Sequence, residues 1–126
     1  MTTAVDELAA SKYALLTTYR KDGRGVPTPV WIVPFGDGLA VWSYAAAGKI
    51  KRIRRTPGVT VATCDIRGNH PGSPHSGQAR VLDAAQTEEV RRQIRKKYGI
   101  TGRLTLGLSR IRRGSTGTVG VQITID

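Results

Sequence analysis

The sequence predicts a mainly β (α+β) fold: a six-stranded antiparallel barrel with short flanking helices. Three observations lead there. Short apolar runs are separated by turn residues, the signature of antiparallel strands. Lys21-Asp22-Gly23 and Gly36-Asp37-Gly38 are turn signals, because Asp-Gly tolerates positive φ, and two consecutive hairpins imply a meander. Val119, Val121, Ile123 and Ile125 alternate with Thr118, Gly120, Gln122 and Thr124, which gives a closing strand with one buried face. Closure removes the edges that an open sheet would leave.

The elements follow in order. Residues 1–10 are an extension or a short helix, and Leu8 to Leu16 begins as a helical turn. Ala14 to Tyr19 is the first strand, Val26 to Val33 the second and Leu39 to Tyr44 the third. Lys49 to Arg55 is a short helix with Ile50 and Ile53 on one face, and Pro57-Gly58 ends it. Val59 to Asp65 is β-branched and makes the fourth strand. Gly68, Pro71 and Gly72 turn residues 66–74 into a loop, and His75 to Leu82 is the fifth strand. Thr87 caps a helix with Glu88 and Glu89 in its first turn and Arg95, Lys96 and Lys97 in its last, which complements the macrodipole. Gly99 stops that helix, Leu104 to Ile111 forms another, and Thr118 to Ile125 is the sixth strand.

A chain of 126 residues suits one domain, 1–126, around one core. Lys and Arg number 20 against 9 Asp and Glu, a formal net charge of +11 that favours an anionic partner. Cys64 is the only cysteine, so no internal disulfide forms, which fits a reducing compartment. The acidic N-terminal stretch is unlike a secretory signal, and no apolar run approaches the roughly 20 residues that span a bilayer. The expectation is a cytoplasmic protein with no membrane partner.

Catalytic machinery is scarce. Gly48-Lys49 fails as a phosphate loop, because Ser43 replaces the first glycine and Ile50 the magnesium-binding Ser or Thr. Gly114, Gly117 and Gly120 lack dinucleotide spacing. His70 and His75 have no third partner for a metal, and Cys64 lies in a strand as a core residue rather than a nucleophile. An enzyme of this composition would rely on a cofactor for its chemistry.

One stretch stands out. Lys49, Lys51, Arg52, Arg54 and Arg55 place five cations in seven residues, just after the aromatic strand that ends in Trp42-Ser43-Tyr44. Cations where a strand gives way to a helix can hold phosphate, and a flat aromatic strand can support a ring. The alternatives are a solvated basic face and a nucleic-acid surface, although the aromatics are not interleaved with the cations as single-strand binding prefers. Pro27 and Pro29 interrupt an otherwise good strand. Proline belongs at an edge or bulge, where neighbouring backbone groups stay free to pair with a heterocycle.

Tyr19-Arg20-Lys21-Asp22-Gly23, Thr28-Pro29-Val30-Trp31, Asp37-Gly38, the basic helix through Thr56-Pro57, and Gly77-Gln78-Ala79 together resemble the pyridoxamine-phosphate-oxidase-like split β-barrel family. The similarity is greatest to its branch that uses the deazaflavin coenzyme F420. The resemblance implies an FMN-binding split-barrel fold and a homodimer with two cofactor sites at the interface. It also implies that Lys49 meets the cofactor phosphate, assisted by Lys51 and Arg52. Thr28, Pro29, Val30 and Trp31 would line the ring, and Ser43 and Tyr44 would contact the ribityl-phosphate arm. His75 to Gly77 would approach from the other subunit, with Gly77 at the cofactor. A pyridoxamine phosphate oxidase proper continues into a basic C-terminal segment, whereas this sequence ends at Thr124-Ile125-Asp126, so vitamin B6 oxidation is not expected.

The net charge favours F420, whose oligoglutamate tail Arg54, Arg55, Arg110, Arg112 and Arg113 could meet, over FMN. The expected activity is hydride transfer between reduced deazaflavin and a small planar unsaturated acceptor. An FMN-dependent oxidoreductase and a non-catalytic flavin or F420 carrier are the alternatives. No catalytic side chain is assigned, and no metal.

Overall fold

A computed structural model describes residues 3–114 and 117–126, the side chain of Arg113 excepted. The order is α1 (Ala4–Ala10), β1 (Tyr13–Tyr19), β2 (Gly25–Val30), β3 (Ile32–Phe35), β4 (Gly38–Tyr44), α2 (Gly48–Arg55), β5 (Gly58–Cys64), β6 (His75–Val81), α3 (Ala84–Arg113) and β7 (Thr118–Ile125). The fold is mainly β, a curled antiparallel half-barrel with flanking helices. It has seven strands rather than the expected six, because Val26 to Val33 breaks at Trp31 into β2 and β3.

That break also overturns the meander. The strand order is β2-β1-β5-β6-β7-β4-β3, so β2 and β3 sit at opposite edges of the sheet although a single residue joins them. In a flat sheet, six spacings of about 4.8 Å would hold the two edges about 29 Å apart. One residue spans only about 7 Å between its neighbours' Cα atoms. The sheet must therefore curl until its edges nearly meet at Trp31. The position of β2 also accounts for Pro27 and Pro29, which pair across to Thr17 and Leu15 of β1 and leave the outer side of an edge strand without a ladder to complete.

Two side chains of α3 fasten this seam. The Tyr98 hydroxyl accepts from the Ile32 amide at 3.1 Å and donates to the Lys12 carbonyl at 2.8 Å. The Lys97 ammonium donates to the carbonyls of Ala9, Ser11 and Ile32 at 2.8, 2.6 and 2.6 Å. Burial lowers the Lys97 ammonium to about 8, and the three carbonyls act in the opposite sense by favouring its charged form. Burial likewise pushes the Tyr98 phenol up to about 12.

Hydrophobic packing occurs on both faces of the sheet. One cluster gathers Leu16, Ile32, Leu39, Val41, Val61, Val121 and Ile123, closed by Leu8 of α1 and by Ile50 and Ile53 of α2. The other, beneath α3, holds Val33, Ala40, Leu82, Val90, Ile94 and Leu106. Neighbours such as Ala40 and Val41 thus bury opposite faces of β4.

Two helix expectations change. Asp83, not Thr87, caps α3, its carboxylate accepting from the Gln86 amide at 2.8 Å. Thr87 is buried one turn on, where its Oγ1 accepts from the Gly120 amide of β7 at 3.0 Å. Gly99 adopts φ 59°, a left-handed conformation open to glycine, but it bends the helix instead of ending it. Helical structure resumes at once, so the two expected helices run together with a kink between them.

Candidate cofactor site

β4 ends at Tyr44, and only Ala45, Ala46 and Ala47 separate it from α2. This short link brings the aromatic strand and the basic helix together. No side chain caps α2, and its first turn has no acid, so the positive end of the helix dipole is uncompensated there. Lys49 stands there half-buried. Burial first, and the Arg52 charge second, lower its pKa below the ordinary lysine value. Among the described residues it has no hydrogen-bond or ion-pair partner. A partly desolvated ammonium with no carboxylate beside it is an unsatisfied donor that an anion would complete.

Arg52 is held more firmly. Its Nε donates to Thr18 Oγ1, a buried hydroxyl of β1, at 2.7 Å. Its guanidinium folds back over the start of α2, where a Cβ on Gly48 would lie 2.9 Å from Nη1. Glycine at 48 is what allows that arrangement.

Lys49 borders a cleft of about 230 Å³ lined by Pro29, Val30, Trp31, Trp42, Ser43, Tyr44 and Thr105. The structure thus brings together six of the residues singled out in the sequence, from β2, the seam, β4 and α2. Trp31 is immobilised by stacking on Tyr98, with centroids 4.4 Å apart and planes 11° from parallel. Trp42 meets Tyr44 edge-on at 6.2 Å. Ser43 is buried, its hydroxyl donating to the Tyr44 carbonyl at 3.2 Å, and Tyr44 is exposed at the rim.

Four of the ten singled-out residues lie elsewhere. Lys51 and Arg52 line a separate groove with Arg20, Lys21, Arg24 and Arg55, on the side facing the β1–β2 turn. Thr28 sits in β2 opposite Leu16, outside the cleft lining. Gly77 lies in β6, where a Cβ would come within 2.7 Å of the Thr124 carbonyl oxygen, so close strand packing accounts for glycine there. Of the cations expected to meet an anionic tail, Arg55 lines the Lys51 groove and Arg54 a shallow surface beside β6. Arg110 lies on α3, and the side chain of Arg113 falls outside the described ones. Thr105 escaped the sequence reading because it enters from α3, remote in the chain. Trp42 carried a signal, its two-residue spacing from Tyr44 on one strand face.

Among the described residues, the cleft lining has no carboxylate, imidazole or thiol. Among the described residues no three His, Cys, Asp or Glu side chains gather to hold a metal. Burial, and then the charge of Asp65, raise the Cys64 thiol, which makes it a poor nucleophile and fits its place in β5. The site can bind and orient an anionic, planar group, and any redox chemistry would come from that group.

The family model described as pyridoxamine 5'-phosphate oxidase matches residues 1–126. The chain belongs to that family. Solved structures similar to this family member include a conserved hypothetical protein from Mycobacterium tuberculosis, 18% identical, with a TM-score of 0.70, 99% of this chain and 81% of that one covered. The heme storage protein HutZ from Vibrio cholerae is 15% identical, with a TM-score of 0.67 and coverage of 100% and 92%. An F420 reductase is 17% identical, with a TM-score of 0.58 and coverage of 100% and 96%. At these identities the likeness is one of fold. No curated protein matches the sequence. Among the described residues, no helix is long and apolar enough to cross a membrane.

Proposed function

We propose that this family member is an oxidoreductase that uses the deazaflavin F420 to pass a hydride to a small planar unsaturated acceptor. The observation that carries the reading is Lys49, a half-buried ammonium with no protein anion, at the end of an aromatic cleft. Lys49 and the uncapped start of α2 would hold the phosphate. Pro29, Val30 and Trp31 would support the ring, and Ser43 and Tyr44 its arm. The bound deazaflavin would supply a hydride donor. The protein's contribution is orientation, with the stacked pair Trp31 and Tyr98 fixing the cleft wall. Among the described residues of one protomer the lining offers no histidine or thiolate to ligate haem iron, which favours a flavin-type ring over haem.

The cleft of about 230 Å³ falls short of the roughly 300–1,000 Å³ of a complete ligand site. That shortfall supports a homodimer in which the partner completes each site. Exposed Ile100, Leu104, Leu108 and Ile111 form an apolar stripe on the α3 segment that supplies Thr105, and a second copy would cover it.

The basic groove at Arg20, Lys51 and Arg55 favours F420 over FMN, because its tail adds carboxylates. Fluorescence titration with FMN and with F420, side by side, tests the assignment. The expected result is tighter binding of F420, with a salt-sensitive difference. Absence of binding by either would end the proposal. Turnover of quinones, enones or nitro compounds with reduced F420 separates an enzyme from a carrier.

A further inference from the structure

A second cleft also borders Trp42, and of its lining residues only Trp42 adjoins the cofactor cleft, while Arg110 is one of the cations expected to meet an anionic tail. It is about 190 Å³, set where the kink at Gly99 folds the two halves of α3 towards each other beside β7. Arg91 and Arg95 line it from the first half, Arg103 and Arg110 from the second. Among the described residues, the only acidic one in its lining is Glu88. That carboxylate is already committed, accepting from Arg91 at 3.1 Å and from Arg95 at 3.3 Å. Arg91 is further fixed by donating to Thr118 Oγ1 at 2.6 Å.

Arg103 and Arg110, two helical turns apart, share one face of α3. Among the described residues neither has a carboxylate or hydrogen-bonding partner. Four guanidiniums and one carboxylate thus line one recess, a formal excess of three positive charges. Guanidinium forks match the paired oxygens of phosphate and carboxylate. Without an anion, the cations on one face repel one another, and an anion of two or more charges would convert that repulsion into attraction.

We propose that this cleft is a binding site for a compact multivalent oxyanion, of the pyrophosphate or oligocarboxylate type. Arg103 and Arg110 are its recognition residues, and Arg91 and Arg95 form a wall preset by Glu88. The site shares no cation with the cofactor cleft, whose lining holds Lys49 alone. Trp42 lines both clefts, so an anion here would rest against the wall of the cofactor site.

The test is calorimetric titration of the full chain with inorganic pyrophosphate and with citrate, at low and at moderate salt. The ratio of the two affinities tells a phosphate site from a carboxylate one. Arg103→Gln and Arg110→Gln alter exposed side chains without partners, and thermal unfolding checks that both variants fold. Each is expected to weaken binding about tenfold or more, the consequence of losing one charge-assisted hydrogen bond. Arg92→Gln, on α3 but outside the cleft, is expected to change affinity less than twofold. Failure of both anions to bind would overturn the proposal, as would equal losses in Arg92→Gln, which would signify a diffuse basic surface. A loss confined to Lys49→Met would place the anion in the cofactor cleft, refuting the second site while leaving the cofactor reading intact.

Discussion

Lys49→Met separates a ligand-binding lysine from a structural one. In the folded protein the Lys49 charge is disfavoured, by burial and by the Arg52 guanidinium, and no described acid compensates it. Removing the charge while keeping the aliphatic stem should leave stability unchanged or slightly raised. The same change removes one charge-assisted hydrogen bond to a phosphate, about 1.5–3 kcal/mol. At about 1.4 kcal/mol per factor of ten, cofactor affinity should fall roughly 10- to 150-fold. Fluorescence titration gives the affinity, and thermal unfolding without ligand gives the stability. The wild-type affinity should also decline with rising pH from below the ordinary lysine value of 10.5, because the lowered pKa empties the ammonium earlier. A melting temperature lowered by more than about 4 °C, on the order of 1 kcal/mol for this size, would show that Lys49 holds the fold. Such a result, or an unchanged dissociation constant, would refute the reasoning.

Three further outcomes are expected. Thr87→Val should lower the unfolding free energy by about 1–3 kcal/mol in denaturant titration, because the buried Gly120 amide loses its acceptor. Gly77→Ala should cost about 1–3 kcal/mol, since the new Cβ would press on the backbone oxygen of Thr124, which cannot step aside. A loss of cofactor affinity at unchanged stability would instead place Gly77 at a ligand. The Tyr98 phenol, raised by burial to about 12 from an ordinary 10, binds its proton more tightly in the folded state. Its stabilisation is therefore complete below pH 10 and is lost between about pH 10 and 12. Tyr98→Phe should be less stable at neutral pH yet lose less over that alkaline range, as read from unfolding curves at each pH.

Local chemistry made much of the fold legible. The alternation in β7, the Asp22-Gly23 turn with Gly23 at φ 89°, and the shared face of Ile50 and Ile53 each depend on neighbours in sequence. The edge position of β2 followed from the missing amides of Pro27 and Pro29. The break at Trp31 was not legible, because Val30-Trp31-Ile32-Val33 is continuously apolar and reads as one buried strand. It arises from curling of the whole sheet, and no local signal marks it. The cap of α3 was legible but missed: Asp83 stands three residues before Gln86. At Gly99 a stop signal was outweighed by packing of Leu106 with Val90 and Ile94 beneath the helix, which keeps the chain helical past the kink. In the site, Ser43, Tyr44 and Lys49 were legible because three residues connect their elements. Thr105 depended on the unforeseen continuation of α3.

The seam at Trp31 gives one residue two duties. It is the clasp that draws the two edges of the curled sheet together, and its indole forms part of the ledge on which a flat ligand would rest. Anything that loosens the clasp therefore blunts the ledge, so weak mutations at Ile32, Lys97 or Tyr98 would read out as lost ligand grip well before the protein unfolds. Conversely, an occupied ledge would hold the clasp shut, and amide exchange at Ile32 should slow on loading more than exchange in β5, which the cleft does not touch.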